Sequence, residues 1–154
     1  MEPRSAADAV ARAVDEASPS SGPGRLGFLV GALFNGLLIW VAHNLLDWGF
    51  PPFLTDSFTD ALPAVTVSLV VAVVANGLRI IYPARWFVTA TEIPVVTANL
   101  YASVVMWRVF PFDFSDYQFR WDLVMRAFLI IAIVGTAIGF VGQVVKLLRG
   151  GQNL

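Results

Sequence analysis

The sequence predicts an all-α integral membrane protein, a bundle of four transmembrane helices with both termini on the same side. Three observations favour this fold class. Hydrophobic residues make up 57% of the 154 residues and charged residues 14%, whereas soluble domains average about 45–50% and about 25%. Four apolar runs are each long enough to cross a hydrocarbon core of about 30 Å. The basic residues gather at one end of these runs, which predicts their orientation.

The four apolar runs cover about residues 26–46, 61–81, 86–107 and 123–148. The second run is rich in valine, which favours a strand in water, but its length without turn residues favours a membrane helix. Together the runs predict one membrane domain over residues 25–149. Residues 1–24 are expected to form a polar cytoplasmic tail, partly disordered or with a short helix. Residues 150–154 are expected to form a second cytoplasmic tail.

The charges at the two ends of the runs predict the topology. One end collects Arg4, Arg12, Arg25, Arg79, Arg85, Lys146 and Arg149. The other end holds Arg108, Arg120 and Arg126 among Asp47, Asp56, Asp60, Asp113, Asp116 and Asp122. Because cytoplasmic loops carry the excess of Lys and Arg, we expect a multi-pass protein of the cell (inner) membrane. Both termini would be cytoplasmic, and two short aromatic loops would lie outside.

Glu92 is the main candidate for function, since an ionisable residue inside a spanning helix is costly and often functional. It lies about two turns, roughly 9 Å, from the cytoplasmic end of the third helix. Arg79 and Arg85 are possible ion-pair partners. Two interpretations stay open: a structural ion pair near the interface, or a proton or cation site lining a polar path. Pro94 should kink the helix just after Glu92, because it frees the carbonyl oxygen of Ala90.

Side-chain amides occur in each of the four helices: Asn35, Asn76, Asn99 and Gln143. Amides that hydrogen-bond across helix interfaces contribute about 0.6–2 kcal/mol each, which is enough to set packing. Alternatively, Asn35, Asn76 and Gln143 would meet Glu92 in a wet cavity in the inner half of the membrane. Asn99 lies seven residues after Glu92 and shares its face.

Two GxxxG patterns predict close helix packing. Gly27 and Gly31 form the first, and Gly135 and Gly139 form the second. Small residues of this kind let two helix backbones approach closely. Whether each pair packs within one chain or between two copies stays open.

The outer ends of the helices carry two further patterns. Ion pairs one helical turn apart are expected for His43 with Asp47 and for Asp122 with Arg126. The two outer loops resemble each other at an offset of 60 residues, with Phe50-Pro51 matching Phe110-Pro111 and Leu54-Thr55-Asp56 matching Phe114-Ser115-Asp116. A parallel repeat of this kind would relate the two halves of the chain.

The remaining chemistry narrows the function by exclusion. The absence of cysteine excludes disulfides and thiolate sites, and a single histidine disfavours metal and haem centres. A net charge of −1 disfavours nucleic-acid binding. We therefore expect no cofactor, no metal and no enzymatic activity. The leading interpretation is an accessory, assembly or scaffold subunit that acts through helix packing. Its partners would be the lipid bilayer and other membrane subunits or copies of itself.

The alternative is a small transporter or channel centred on Glu92, for a cation, a proton or a lipid-linked substrate. Arg25 is followed by the segment Phe28–Gly31, and Asn76 is followed after the second helix by Arg85-Trp86-Phe87. In these segments the chain resembles the small four-helix GtrA-type membrane proteins linked to sugar–lipid translocation. The resemblance implies a four-helix fold and a lipid-linked substrate. The second half departs from the pattern, since no basic Trp-x-Phe segment follows the fourth helix and Glu92 has no counterpart.

Overall fold

Long helices account for most of the chain. The structure is a computed structural model and describes residues 24–150. The helices of this part are α1 (Arg25–Asn44), α2 (Phe58–Ile81), α3 (Arg85–Val109) and α4 (Trp121–Gly150). All four are long and apolar enough to cross a membrane, and each begins and ends within three residues of its predicted bounds. The tails predicted for residues 1–24 and 150–154 lie almost wholly outside the described residues.

Local chemistry explains where these helices end. After α2, the Tyr82 N–H still donates to the Leu78 carbonyl oxygen, and Pro83 then disfavours another helical turn. After α3, Phe110 adopts a left-handed conformation with φ 41°, which ends a helix in the way a glycine often does. Inside α3, Pro94 does not end the helix, which runs on to Val109.

The four helices pack as an open row. Each contacts its neighbour in sequence, and within residues 24–150 there is no contact between α1 and α3, between α1 and α4 or between α2 and α4. The connection between α2 and α3 is short, and a short connection joins antiparallel neighbours. Within these residues the predicted bundle therefore does not close on itself, and the outer helices α1 and α4 each pack against a single neighbour.

Helix α2 contains most of the buried residues of the four helices. Its buried residues recur every three or four positions: Phe58, Ala61, Ala64, Ser68, Ala72, Ala75 and Arg79. Five of the seven are Ala or Ser, whose small side chains let neighbouring backbones approach. By contrast, α4 buries Leu129 alone among its 30 residues. An isolated row thus leaves most of α4 uncovered by protein.

The two loops at the far end of the row contact each other. Residues 45–57 connect α1 to α2 and residues 110–120 connect α3 to α4, and an antiparallel bridge joins Leu54 to Phe112. Two backbone hydrogen bonds make this bridge: from Thr55 N–H to the Pro111 oxygen (2.9 Å) and from Asp113 N–H to the Phe53 oxygen (2.8 Å). The loops that resemble each other in sequence thus tie the two halves of the row together. We call this the loop end and the opposite one the Arg79 end.

Candidate functional site

The candidate site is an ion pair between Arg79 and Glu92. Arg79 lies in the last turn of α2 and Glu92 lies two turns into α3, and the three-residue turn between the helices brings them side by side. The Arg79 Nη2 donates to the Glu92 Oε2 at 2.5 Å. The Arg79 side chain is only 8% exposed, whereas the Glu92 side chain is 32% exposed. The pair is therefore buried on its cationic side and partly open on its anionic side.

Further contacts satisfy the Arg79 guanidinium. Its Nε donates to the Thr91 Oγ1 at 2.8 Å, and its Nη2 lies 3.3 Å from the Val88 carbonyl oxygen. The Phe28 ring of α1 lies beneath it, with the centroid 5.9 Å from Cζ, which is within range of a cation–π contact. One side chain thus joins three helices, α1, α2 and α3.

The Glu92 side chain faces α2. Its carboxylate contacts Arg79, and Arg85, the other candidate partner, is exposed and makes no ion pair within the described chain. Arg85 begins α3 and lies seven residues before Glu92, which is about 10 Å along the helix axis. A charge held by a fixed guanidinium is stabilised where it stands. The contact favours a positioning role for Glu92 over a site that exchanges ions.

The four amides do not gather around Glu92. Asn35 donates to the Gly31 carbonyl of its own helix at 2.7 Å, and Asn76 lies beside Gly31, on the α1 side of α2. Asn99 is exposed and Gln143 is half-buried on α4. No hydrogen bond joins these side chains within residues 24–150. The open row separates α1 and α2 from α4, so the amides do not converge on Glu92 within residues 24–150, and the wet cavity stays a prediction.

The two GxxxG patterns have different surroundings. A Cβ added at Gly31 would lie 3.0 Å from the Asn76 Nδ2, so this glycine permits the close approach of α1 and α2. Gly27, its partner in the pattern, is exposed. A Cβ added at Gly135 or Gly139 would meet nothing within 4 Å. The first pattern therefore packs inside the row through Gly31, and the second faces away from it.

The ion pairs expected at the loop end are not formed. Asp122 and Arg126 make no salt bridge, and the Arg126 guanidinium instead lies over Phe110, with Cζ 4.1 Å from the ring centroid. His43 likewise contacts the Ile39 carbonyl oxygen at 2.8 Å in place of Asp47. Sequence spacing did not predict these contacts, because it does not show that an aromatic ring competes for Arg126 and a backbone carbonyl for His43.

A second feature, which the sequence did not indicate, is an apolar cavity of about 690 Å³ at the loop end. We call it the loop-end groove. It is lined by Phe53, Phe114, Tyr117, Trp121, Val124, Met125 and Phe128. Its α4 residues follow helical spacing, but its loop residues come from two distant segments that only the loop bridge brings together. The aromatic composition of the loops was the one available signal.

Comparisons with known proteins found no match for this chain. No family model matches the chain, no curated protein matches it and no solved structure matches it. The resemblance to GtrA-type proteins therefore gains no support. Within the described chain, no three His, Asp or Glu side chains gather where they could hold a metal ion.

Proposed function

We propose that this protein is a multi-pass subunit of the cell (inner) membrane that assembles with copies of itself or with other membrane proteins. In that role it acts as an accessory, assembly or scaffold subunit through helix packing. The proposal rests on one observation above all: the row is open, and its outer helix α4 presents Gly135, Gly139 and Gly142 with no protein atom near their Cβ positions. Such faces are typical of helices that pack against another helix.

The state of Glu92 supports the same proposal. A transporter built around Glu92 would need the carboxylate to face a polar cavity shared with the amides. Glu92 instead contacts Arg79, and Thr91 holds the same guanidinium. Within the described residues, α1, which carries Asn35, does not pack against α4, which carries Gln143. The ion pair therefore supports a structural role at the helix interface.

The distribution of charge supports the orientation. Arg25, Arg79, Arg85, Lys146 and Arg149 all lie at or near the Arg79 end, which we assign to the cytoplasm by the positive-inside rule. The chain lacks cysteine, so single introduced cysteines report topology without background. In intact cells, a membrane-impermeant maleimide should label Ser115→Cys at the loop end and should not label Arg85→Cys at the opposite end. The reverse pattern would contradict the orientation.

The assembly itself is tested by purification in a mild detergent. We expect the wild-type protein to run as an oligomer or with co-purifying membrane proteins, as measured by light scattering and native mass spectrometry. Gly139→Leu places a large side chain on the open glycine face, so it should block the approach of a second helix and release the free chain. The chain itself should still fold, because a Cβ at Gly139 meets nothing within 4 Å. Val134→Trp is the matched control, since it adds bulk at an exposed position on another side of α4 and should leave the assembly intact.

Two results would contradict the proposal. One is a monomeric wild-type protein without co-purifying partners. The other is a lone oligomer that conducts ions across liposomes and loses that flux with Glu92→Gln, which would favour the transporter alternative.

A further inference from the structure

We propose that the loop-end groove binds one acyl chain of a phospholipid of the surrounding bilayer. This inference rests on the membrane location proposed above, but it is independent of the partners with which the protein assembles.

The lining of the groove favours a hydrocarbon ligand. All seven lining side chains are apolar or aromatic, and none carries a charge. A polar ligand would lose its hydration in such a site and gain few hydrogen bonds in return, which costs free energy. A hydrocarbon chain has no polar group to lose.

The shape of the groove favours a ligand over a flat contact. Its volume of about 690 Å³ lies within the range of about 300–1,000 Å³ that is typical of small-molecule sites. Its walls come from three segments: Phe53 from the first loop, Phe114 and Tyr117 from the second, and the remaining four residues from α4. The surface is therefore concave, unlike the convex face of a single helix.

The walls are also held in place without a ligand. The Phe53 and Phe114 rings lie 5.1 Å apart, and the Phe114 ring packs edge-on against Tyr117 with the centroids 6.1 Å apart. Aromatic pairs at such distances attract each other, and the backbone bridge beneath them fixes the two loops. A pre-formed site loses less conformational entropy when it is occupied.

The position of the groove identifies the source of the chain. From Trp121 to Phe128 it extends over seven residues, or about 10 Å along α4, starting where the candidate span begins. It thus reaches from the level of the lipid headgroups into the hydrocarbon layer, the path that an acyl chain follows. Gly135 lies a further seven residues along, so the groove ends about 10 Å before the open glycine face begins.

Photolabelling of the full-length protein in vesicles tests the proposal. The vesicles contain phosphatidylcholine with a small fraction of molecules that carry a diazirine in one acyl chain. After illumination, labelled sites are mapped by mass spectrometry. We expect labels on Phe53 and Phe114, in the loop walls of the groove, as well as on Leu33, which is exposed in the middle of α1 and lies on a different helix from the glycine face.

Variants then separate the groove from the general lipid surface. Val124→Trp fills the groove and should abolish the labels on Phe53 and Phe114 while keeping the label on Leu33. Val134→Trp should keep all three. Met125→Trp fills the groove from a second position, and agreement between the two filling variants excludes a folding defect that is specific to one of them.

Three outcomes would overturn the proposal. The first is labelling of Leu33 without labelling of Phe53 and Phe114 in the wild type. The second is equal labelling of the loop walls in Val124→Trp. The third is crosslinking of a Val124→Cys variant to another protein chain, which would make the groove a subunit interface. Absence of every label, Leu33 included, would refute the membrane location and the groove together. A monomer with labelled loop walls would refute only the subunit proposal.

Discussion

The two ends of the helix row are held together by different forces. At the Arg79 end, a three-residue turn and one charged side chain join α1, α2 and α3 through the contacts of Arg79 with Phe28, Thr91 and Glu92. At the loop end, the loop before α2 is joined to the loop before α4 by backbone hydrogen bonds and by packed aromatic rings. The Arg79 end uses polar groups inside the helices, and the loop end uses apolar groups outside them.

This difference follows from what each end must satisfy. A buried guanidinium has five N–H donors and a charge, so it persists only where acceptors surround it. Its contacts are directional, and they set how α2 and α3 face each other. The loops instead carry backbone groups that need hydrogen-bond partners, and pairing them with each other leaves their aromatic side chains free to form a groove. The contacts at the Arg79 end set the relative orientation of the helices, whereas those at the loop end form an apolar surface.

The largest expected effect is at the Arg79 end. Glu92→Leu leaves the Arg79 guanidinium buried without its counter-charge. Breaking a fully buried pair costs about 3–5 kcal/mol, and because Glu92 is partly exposed we expect about 2–3 kcal/mol. Unfolding in detergent, followed by circular dichroism, measures this loss. The double variant Arg79→Met with Glu92→Leu should recover most of it. Equal losses in the single and double variants would show that the charge is not what makes Arg79 important.

At the loop end, Phe53→Ala should cost somewhat less. The ring packs against Phe114 and lines the groove, and removal of a partly buried aromatic ring costs about 2 kcal/mol. Phe50→Ala is the matched control, because the Phe50 ring is 68% exposed. Hydrogen exchange of the two loops should rise in the first variant and stay unchanged in the second. If both variants loosened the loops alike, the backbone bridge rather than the rings would hold this end.

The close approach of α1 to α2 is expected to contribute less than either end. Gly31→Ala places a Cβ 3.0 Å from the Asn76 Nδ2, and since Asn76 is flexible the overpacking should cost about 1 kcal/mol. Gly36→Ala meets nothing within 4 Å and should instead stabilise α1 by about 0.5–1 kcal/mol, because alanine favours a helix over glycine. Thermal unfolding of the two variants compares them directly. A stable Gly31→Ala variant would indicate that the two helices can separate slightly without loss.

The smallest expected effect concerns Asp113 and pH. The Ser115 backbone N–H, at 2.9 Å, and then the Ser115 hydroxyl hold the pKa of the exposed Asp113 carboxyl below its ordinary value of 3.8. Because the folded-state pKa is lowered, the ionised carboxylate stabilises the loop fully at pH values above the ordinary pKa of 3.8. This stabilisation is lost as the pH falls through the lower, folded-state pKa. The rate of hydrogen exchange at Ser115, divided by the intrinsic exchange rate of an unprotected amide at the same pH, should therefore rise on acidification.

Two substitutions isolate the role of this carboxyl group. Asp113→Asn keeps an acceptor oxygen but cannot titrate, so the rise in exchange at Ser115 should disappear. Asp116→Asn should leave the rise unchanged, because Asp116 makes no side-chain hydrogen bond within the described residues. If Asp116→Asn abolished the rise, the pH response would belong to the net charge of the loop.

Glu92 shows how far a sequence reading reaches. Its cost inside a spanning helix and its two candidate partners were evident from the sequence, but the choice of Arg79 depended on how α2 and α3 rotate against each other. The Thr91 and Phe28 contacts depended on the same rotation. Beyond the aromatic composition of the loops, nothing in the sequence predicted the loop-end groove, since Phe53 and Phe114 are brought together by a backbone bridge between distant segments.

The sequence by itself determined that four long apolar helices form, where each begins and ends, and which end of the row is basic. These properties are local, because a helix satisfies its own backbone hydrogen bonds and its length and composition suffice to recognise it. Only the tertiary structure decided that the row stays open, that Gly31 packs inward while Gly135 and Gly139 face outward, and that Arg79 rather than Arg85 pairs with Glu92. The physical reason is that an apolar helix is nearly uniform around its axis, so its hydrophobicity does not specify which side meets a neighbour. That side is set by the few small and polar residues whose partners lie on another helix.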